Sequence, residues 1–389
     1  MELNHYIMEN TLESLIDYRG KTPQKSEEGI PTLSAKSVKN GYIDYSECYY
    51  ISAEEYQRFM VRGFPKKGDI LLTTEAPMGM VAKLDRDDVA IAQRLITLRG
   101  KEGILDNDFL MYFLQSPMGQ HKLAERETGS TVTGIKQAAF RKIEIDIPSY
   151  DIQKKIAACL TCIDEKIETN KQINRNLQEQ AFAIFDQMVA DHEPEDVCDL
   201  SLLAEINPKR DLHKNTEARY IDMAKLSTSG AFPDGWEYKA YSGGMKFMNG
   251  DTILARITPC LENGKTAFIN FLDEGEIAFG STEYVVLSPK GVLPPELLYC
   301  LARYPRFVDY AVINMNGTSG RQRVSGEVIG QYQVPRFSNE EMKKFSLNVE
   351  KLFVNIKENS IENMRLAELR DALLPKLMSG ELDVSDIDI

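Results

Sequence analysis

One property of this sequence limits what it can fold into more than any other: it contains a long internal duplication. Between residues 150 and 190, Ile156, Leu160, Ile163, Ile167, Leu177, Ala181, Ile184 and Met188 recur at mostly three- and four-residue intervals. That spacing marks one apolar face of a long α-helix. A second such stretch lies at 340–378, ending on Leu373 and Leu377. Adding 189 to Ile156, Leu160, Ile163, Ile167 and Leu177 lands on Phe345, Val349, Leu352, Ile356 and Leu366. Even the polar interruption of the seam is copied, because Asn170 maps to Asn359 and Asn174 to Asn363. Self-similarity at a fixed long period constrains the architecture before any local assignment is made.

The repeat continues upstream with small insertions and deletions. Ala35 and Lys36 correspond to Ala224 and Lys225, and Gly41 to Gly230. KKGDILLTTEAPMGMVAKL (66–84) resembles MNGDTILARITPCLENGKTAFI (248–269), AQRLITL (92–98) resembles STEYVVL (281–287), and GSTVTG (129–134) matches GTSGRQ (317–322). Within each copy, DILLTT, MVAKL and VAIAQRLITL, or TILARI, KTAFI and EYVVL, read as strands from their β-branched apolar runs. DNDFLMYFLQ, opened by Asp and Asn, and PPELLYCLARY, opened by prolines, read as helices. Each copy closes on a short strand ending in proline, EIDIP (144–148) and QYQVP (331–335).

A chain of 389 residues exceeds what one hydrophobic core normally serves. The expected division is therefore a globular domain over 1–148, a helix over 149–190, a second domain over 191–337, a helix over 338–380 and an acidic tail over 381–389. The acidic, proline-containing stretch DHEPEDVCD (191–199) is the expected joint. Pro375 should kink or end the second helix, with Gly380 beyond it as a stop. The fold class is α+β: two mixed α/β domains separated by two long helices.

Two helices of about 38 residues would each be about 57 Å long, and their 3–4 seams should pair as a coiled coil. A purely aliphatic seam can slip by a heptad. Facing layers of Asn170, Asn174, Asn359 and Asn363 penalise slippage, because Asn opposite Leu leaves its amide unpaired. The residues permit either a parallel or an antiparallel pair. An antiparallel pair would act as a ruler between two similar but non-identical readers, as half-site spacing does in dimeric DNA binders.

The formal net charge of −13 argues against indiscriminate nucleic-acid binding but leaves a locally basic groove open. No apolar run approaches the length of a membrane span and the N-terminus carries no signal-peptide pattern, so a cytoplasmic protein is expected, with no membrane role. Of six cysteines only Cys159 and Cys162 form a CxxC, inside the helical pattern and without a second ligand pair, so two small helix residues are expected there rather than a metal site. No Walker A loop, HExxH or nucleophile elbow occurs. INPK (206–209) lacks the second proline and the aromatic of a methyltransferase Asn-Pro-Pro-aromatic motif, and none of the four histidines has a catalytic setting.

LRDALLPKLMSGELDV (369–384), IPSYDIQKKIAACLTCIDEKI (147–167), GDILLT (68–73) and GSTVTGIKQAAFRKIEIDIP (129–148) closely resemble the recurring segments of type I restriction–modification specificity subunits, and the resemblance spans essentially the whole chain. It implies two target-recognition domains held by antiparallel conserved helices in a coiled coil, related by a pseudo-two-fold axis. It further implies an interrupted double-stranded DNA target, docking of two methyltransferase subunits, and restriction subunits joining through the complex. The chain itself would be non-catalytic and hold no cofactor, with S-adenosylmethionine, ATP and Mg2+ on the partner subunits.

Base-edge readout needs paired donors and acceptors on loops held by a rigid frame. In the first domain the candidates are Thr73, Thr74, Glu75 and Met78 after the GDILL strand, Gln93 and Arg94 at the opening of the next strand, and Ser130, Thr131, Thr133 and Lys136. The matched positions in the second domain are Arg256, Thr258, Asn263 and Lys265, then Ser281, Thr282 and Glu283, then Thr318, Ser319, Arg321 and Arg323. Arg256 suits guanine and Asn263 adenine. Lys21, Lys36, Lys209, Arg210 and Lys225 are expected as phosphate anchors, which position without specifying. The two sets differ, which predicts two different half-sites. The mixed-charge outer helix faces, including Lys154, Lys171, Lys343 and Arg365, are read either as simply solvated or as surfaces that each dock one methyltransferase subunit. The competing readings are a self-sufficient nuclease or methyltransferase, which the missing motifs disfavour, and a coiled-coil spacer scaffold carrying two protein-binding modules, which the acidic charge favours.

Overall fold

The computed structural model describes residues 2–18, 20–129, 133–193, 195–318 and 320–387. The chain divides into two compact units, one made of Met1–Glu165 with Ala367–Ile389 and the other of Lys166–Leu366.

The first unit is built on a four-stranded antiparallel sheet of β1 (Leu12–Asp17), β2 (Ile70–Thr73), β3 (Val81–Lys83) and β4 (Leu95–Gly100), in the order β1-β4-β2-β3. Every residue of β2 is buried, as a continuous apolar run in a central strand requires. Helix α1 (Asn107–Gln115) packs Phe109, Leu110 and Phe113 onto this sheet, and the Asp106 carboxylate caps it by accepting from Phe109 N. A smaller three-stranded sheet of Ile30–Leu33, Tyr49–Ile51 and Ala90–Ile91 carries a second core around Tyr18, Leu33 and Ile91. The first described strand, Asn4–Ile7, pairs antiparallel with Glu144–Ile147 and so closes the unit on itself. Helix α2 (Tyr150–Ala190) begins two residues after the proline that ends this region, and its Ile156, Ala157 and Leu160 enter the unit's main core beside Leu374, Leu377 and Met378. The larger of these side chains, Ile156, Leu160, Leu374, Leu377 and Met378, each contribute about 1.5–3 kcal/mol when fully buried.

The second unit has a main sheet with the same strand order. Strands β5 (Ala204–Ile206), β6 (Thr252–Ala255), β7 (Thr266–Phe268) and β8 (Tyr284–Pro289) form an antiparallel sheet in the order β5-β8-β6-β7, and α3 (Pro295–Arg303) packs on it. A companion four-stranded sheet joins Glu217–Ile221, Glu237–Ala240, Met245–Phe247 and Ala278–Gly280. The stretch expected as a joint is partly ordered into strand Val197–Asp199, which pairs with Gln333–Pro335.

Helix α4 (Asn339–Ser379) starts from Ser338, whose side chain and Glu341 form a reciprocal capping box, with Ser338 N donating to Glu341 Oε2 and Glu341 N to Ser338 Oγ. In the second unit, Ala181 and Phe185 of α2 share a core with Phe345, Val349, Phe353 and Ile356 of α4. The asparagines meet there. Buried Asn170 donates to Asn363 Oδ1 at 3.0 Å and to Glu362 Oε2 at 2.6 Å, and Asn359 donates to Asn174 Oδ1 at 2.9 Å. Asn174 also reaches Ser360 Oγ. With 170 opposite 363, 174 opposite 359 and Phe185 against Phe345, the two helical segments run in opposite directions within this unit.

Two sequence expectations need correction. Pro375 does not end α4, which runs through it to Ser379 and stops at Gly380 with φ 77°. The last residues are not merely an acidic tail, since Val384 is buried in the first unit's core and Lys155 Nζ donates to Ser385 O. Cys159 is part-buried and Cys162 exposed; burial pushes the Cys159 thiol up, away from reactivity.

Candidate nucleic-acid interface

In each unit three segments distant in sequence converge at the end of the central strand. In the first unit, Thr74 N donates to Arg94 O, tying the loop after β2 to the residue before β4. Ile135 N donates to Thr74 O, and Glu75 bridges to Gly134, which brings in the third segment. A Cβ at Gly134 would lie 2.6 Å from the Thr74 carbonyl oxygen, so this close approach needs glycine. In the second unit Arg256 N donates to Glu283 O, Val324 N donates to Arg256 O, and Ile257 bridges to Arg323. The backbone scheme is the same, and both loops carry a cis proline, Pro77 and Pro259.

The side chains differ. In the first unit Arg94 Nε stands 3.6 Å from Glu75 Oε1, with 50% and 30% of the two side chains exposed. Arg94 has φ 70°, a left-handed conformation that costs a non-glycine residue about 1–3 kcal/mol and that clusters at functional sites. In the second unit the charges are exchanged. The strand-opening residue is Glu283 and the loop residue is Arg256, whose Nε lies 3.9 Å from Glu283 Oε2. Arg323 clasps the same carboxylate with Nε and Nη2 at 2.7–2.9 Å. Those hydrogen bonds, and then the charge of Arg323, hold the Glu283 carboxyl below its ordinary value.

The predicted residues therefore sort into three groups. Glu75, Gln93, Arg94, Thr133 and Lys136, and Arg256, Asn263, Thr282, Glu283, Thr318 and Arg321, lie exposed or half-exposed in or beside the converged segments. Lys21, Lys36 and Lys209 are exposed and Lys225 is half-buried. Ser130, Thr131 and Ser319, with Val132, lie outside the described residues.

The third group is a set of corrections. Thr73 is buried and its hydroxyl accepts from Met80 N; Thr74 is buried too. Met78 packs on the main core rather than facing outward. Thr258 Oγ1 accepts from Gln322 N, and Ser281 Oγ from Glu283 N, so both brace the loops. Lys265 Nζ is taken up by Met223 O. Arg323 is committed to Glu283. Arg210 is no phosphate anchor: its Nη2 donates to both oxygens of buried Asp251 at 2.6 Å, and only 11% of its side chain is exposed.

Three supporting side chains escape sequence reasoning. Gln120 Nε2 donates to Gly79 O, and Arg303 donates to Gly264 O and Thr228 O, each bracing a site loop from a helix or its end. Asp69 accepts from Lys66 N and from Arg99 at 2.7 and 2.8 Å, fixing the turn into β2. Only Asp69 left a signal in the sequence, the Gly-Asp pair present in both copies. Among the described residues no helix is long and apolar enough to cross a membrane.

Residues 8–179 match the family described as the type I restriction modification DNA specificity domain. The chain is 26% identical to the MjaIX type I restriction enzyme specificity subunit of Methanocaldococcus jannaschii, covering 92% of this chain and 88% of that protein. It is 23% identical to the HindI specificity subunit of Haemophilus influenzae, covering 82% and 87%. Its fold is similar to that of a crystal structure of a type I restriction–modification S subunit from M. genitalium, with a TM-score of 0.61 at 17% identity over 97% of this chain and 96% of that one.

Proposed function

We propose that this chain, which is similar over most of its length to type I restriction–modification specificity subunits, recognises DNA sequence and reads a bipartite, asymmetric double-stranded target with a fixed gap. The observation that carries this reading is the pair of three-segment sites, alike in backbone hydrogen bonding and different in side chains. Like frames bearing unlike edges suit two different half-sites.

In this proposal α2 and α4 pair as an antiparallel coiled coil, in an internally repeated, pseudo-two-fold arrangement. Their asparagine layer sets the axial register, and that register sets the gap between half-sites. The duplicated outer helix faces each dock one methyltransferase subunit, since duplicated surfaces make duplicated sites. Restriction subunits join through that complex. The chemistry belongs to the partners, which bring S-adenosylmethionine, ATP and Mg2+. This chain contributes position and sequence choice, from the cytoplasm where the DNA is. Its own exposed Lys21, Lys36, Lys209 and Arg321 take phosphates.

The test is a methylome map of cells expressing this chain with its methyltransferase subunit, against cells expressing the methyltransferase alone. A new methylated motif in two unequal parts separated by a constant gap is the expected result. A soluble, co-purifying complex with no new motif overturns it and favours a coiled-coil scaffold with two protein-binding modules.

A further inference from the structure

We infer that each unit uses its Glu–Arg pair to read one G·C base pair, Arg94 with Glu75 in the first unit and Arg256 with Glu283 in the second. The inference rests on the DNA-reading function proposed above and names what that site selects. Arginine donates to guanine O6 and N7 in the major groove, and a carboxylate accepts from the amino group of the paired cytosine. A guanidinium and a carboxylate side by side thus match the two edges of one base pair.

Four observations single out these residues. Both Arg–Glu pairs are loose, with Nε–oxygen distances of 3.6 and 3.9 Å, so neither Arg94 nor Arg256 is consumed by its carboxylate as Arg210 is by Asp251, although Glu283 is also bonded by Arg323. All four side chains are between about one quarter and one half exposed. Each pair joins the loop after the central strand to the residue opening the next, across the same backbone hydrogen bond, Thr74 N to Arg94 O or Arg256 N to Glu283 O. The charges are traded between loop and strand opening, although Glu75 stands one residue beyond Thr74, the position that matches Arg256, so the frame accepts a loop residue of either sign at either of two adjacent positions. In the second unit Arg323 fixes Glu283 from the far side, which leaves Arg256 as the looser cation. In the first, Arg94 is held in its left-handed conformation.

The complex of this chain with its methyltransferase subunit tests this by methylome mapping of wild type, Arg94→Gln, Arg256→Gln and the exchange variant Glu75→Arg/Arg94→Glu. The wild-type motif should require a G·C pair in each half. Arg94→Gln should weaken that requirement about tenfold to a hundredfold in one half only, and Arg256→Gln in the other half only. The exchange variant should move the guanine to the opposite strand at that position. A half without a required G·C pair, or variants that leave the motif unchanged, overturns the inference while the proposed function stands. Loss of all methylation by an assembled complex also overturns it, because the pairs would then be structural. If Arg94→Gln does not assemble, Glu75→Gln, which keeps Arg94, should relax the same base pair; an unchanged motif overturns the inference. A wild-type map without any motif overturns the proposed function and this inference with it.

Discussion

Replacing Arg210 by Met distinguishes a structural cation from a DNA contact. Arg210 looks from sequence like a phosphate anchor beside Lys209, yet its guanidinium lies against Asp251, which is 1% exposed and also accepts from Met248 N. Burial already pushes the Asp251 carboxyl up, against the pull of Met248 N and of Arg210. Removing Arg210 leaves a buried carboxylate with Met248 N and the Ser288 hydroxyl but no cation, and breaking a buried pair in this way costs about 3–5 kcal/mol. For a unit of about 200 residues the unfolding entropy is roughly 0.4 kcal/mol/K, so the Tm of that unit should fall by about 7–12 °C. Adding Asp251→Asn removes the stranded charge while its Oδ1 can still accept from Met248 N, so the double variant should regain at least about half the loss. The assay is calorimetry of the purified chain, paired with DNA binding by the assembled complex at several salt concentrations. A phosphate contact would behave otherwise: Tm nearly unchanged, and a salt slope reduced by about 0.9. That second result would refute the burial argument.

Three further outcomes are expected. Asn170→Val removes the hydrogen bonds to Asn363 and to Glu362 and sets an apolar side chain against the half-buried Asn363 amide, so thermal unfolding should show destabilisation by about 1–3 kcal/mol; an unchanged or higher Tm would contradict this. Glu283→Gln should destabilise most at neutral pH. A carboxyl held low in the folded state stabilises above its unfolded value and loses that contribution as pH falls through the folded one, so the Tm gap to wild type should shrink as pH drops below the ordinary 4.5. A gap constant from pH 7 to pH 3 would contradict it. Lys36→Ala and Arg321→Ala should each weaken DNA binding by the complex at every sequence alike and lower the salt slope by about 0.9, with Tm unchanged; a changed methylation motif would instead make either residue a base reader.

The strands and helices were legible because their physics is local and periodic. The buried run of β2, its counterpart β6, and the 3–4 seams of α2 and α4 all advertise burial in the sequence itself. The candidate site was legible at the level of segments, since all three predicted stretches converge in each unit. Individual side chains were not. Thr73 and Glu75 lie two residues apart, one with its hydroxyl turned onto Met80 N and the other half-exposed beside Arg94. Which applies depends on a tertiary partner, and loops have no period from which to infer one. Pro375 failed as a helix stop for a related reason. Burial of Leu374, Leu377 and Met378 on either side of it outweighs the local penalty of about 3 kcal/mol for a proline in a helix.

The buried ion pairs show what the two copies have in common. Asp69 and Asp251 occupy the same Gly-Asp position, and each accepts from the backbone N–H three residues before it. The first copy supplies the cation from β4 as Arg99; at the matching position the second has Ser288, and Arg210 arrives from the segment after β5 to bond both Asp251 and Ser288. The turn before the central strand needs a buried carboxylate, and the carboxylate needs a guanidinium, but no particular strand must carry it. The Glu75–Arg94 and Arg256–Glu283 pairs follow the same logic at the exposed edge, with the charges traded between loop and strand. Matching residue types between the copies therefore finds the aspartates and misses the arginines. A comparison by the charge a position must meet finds both, and at the site it leaves free which residue of a pair carries which charge.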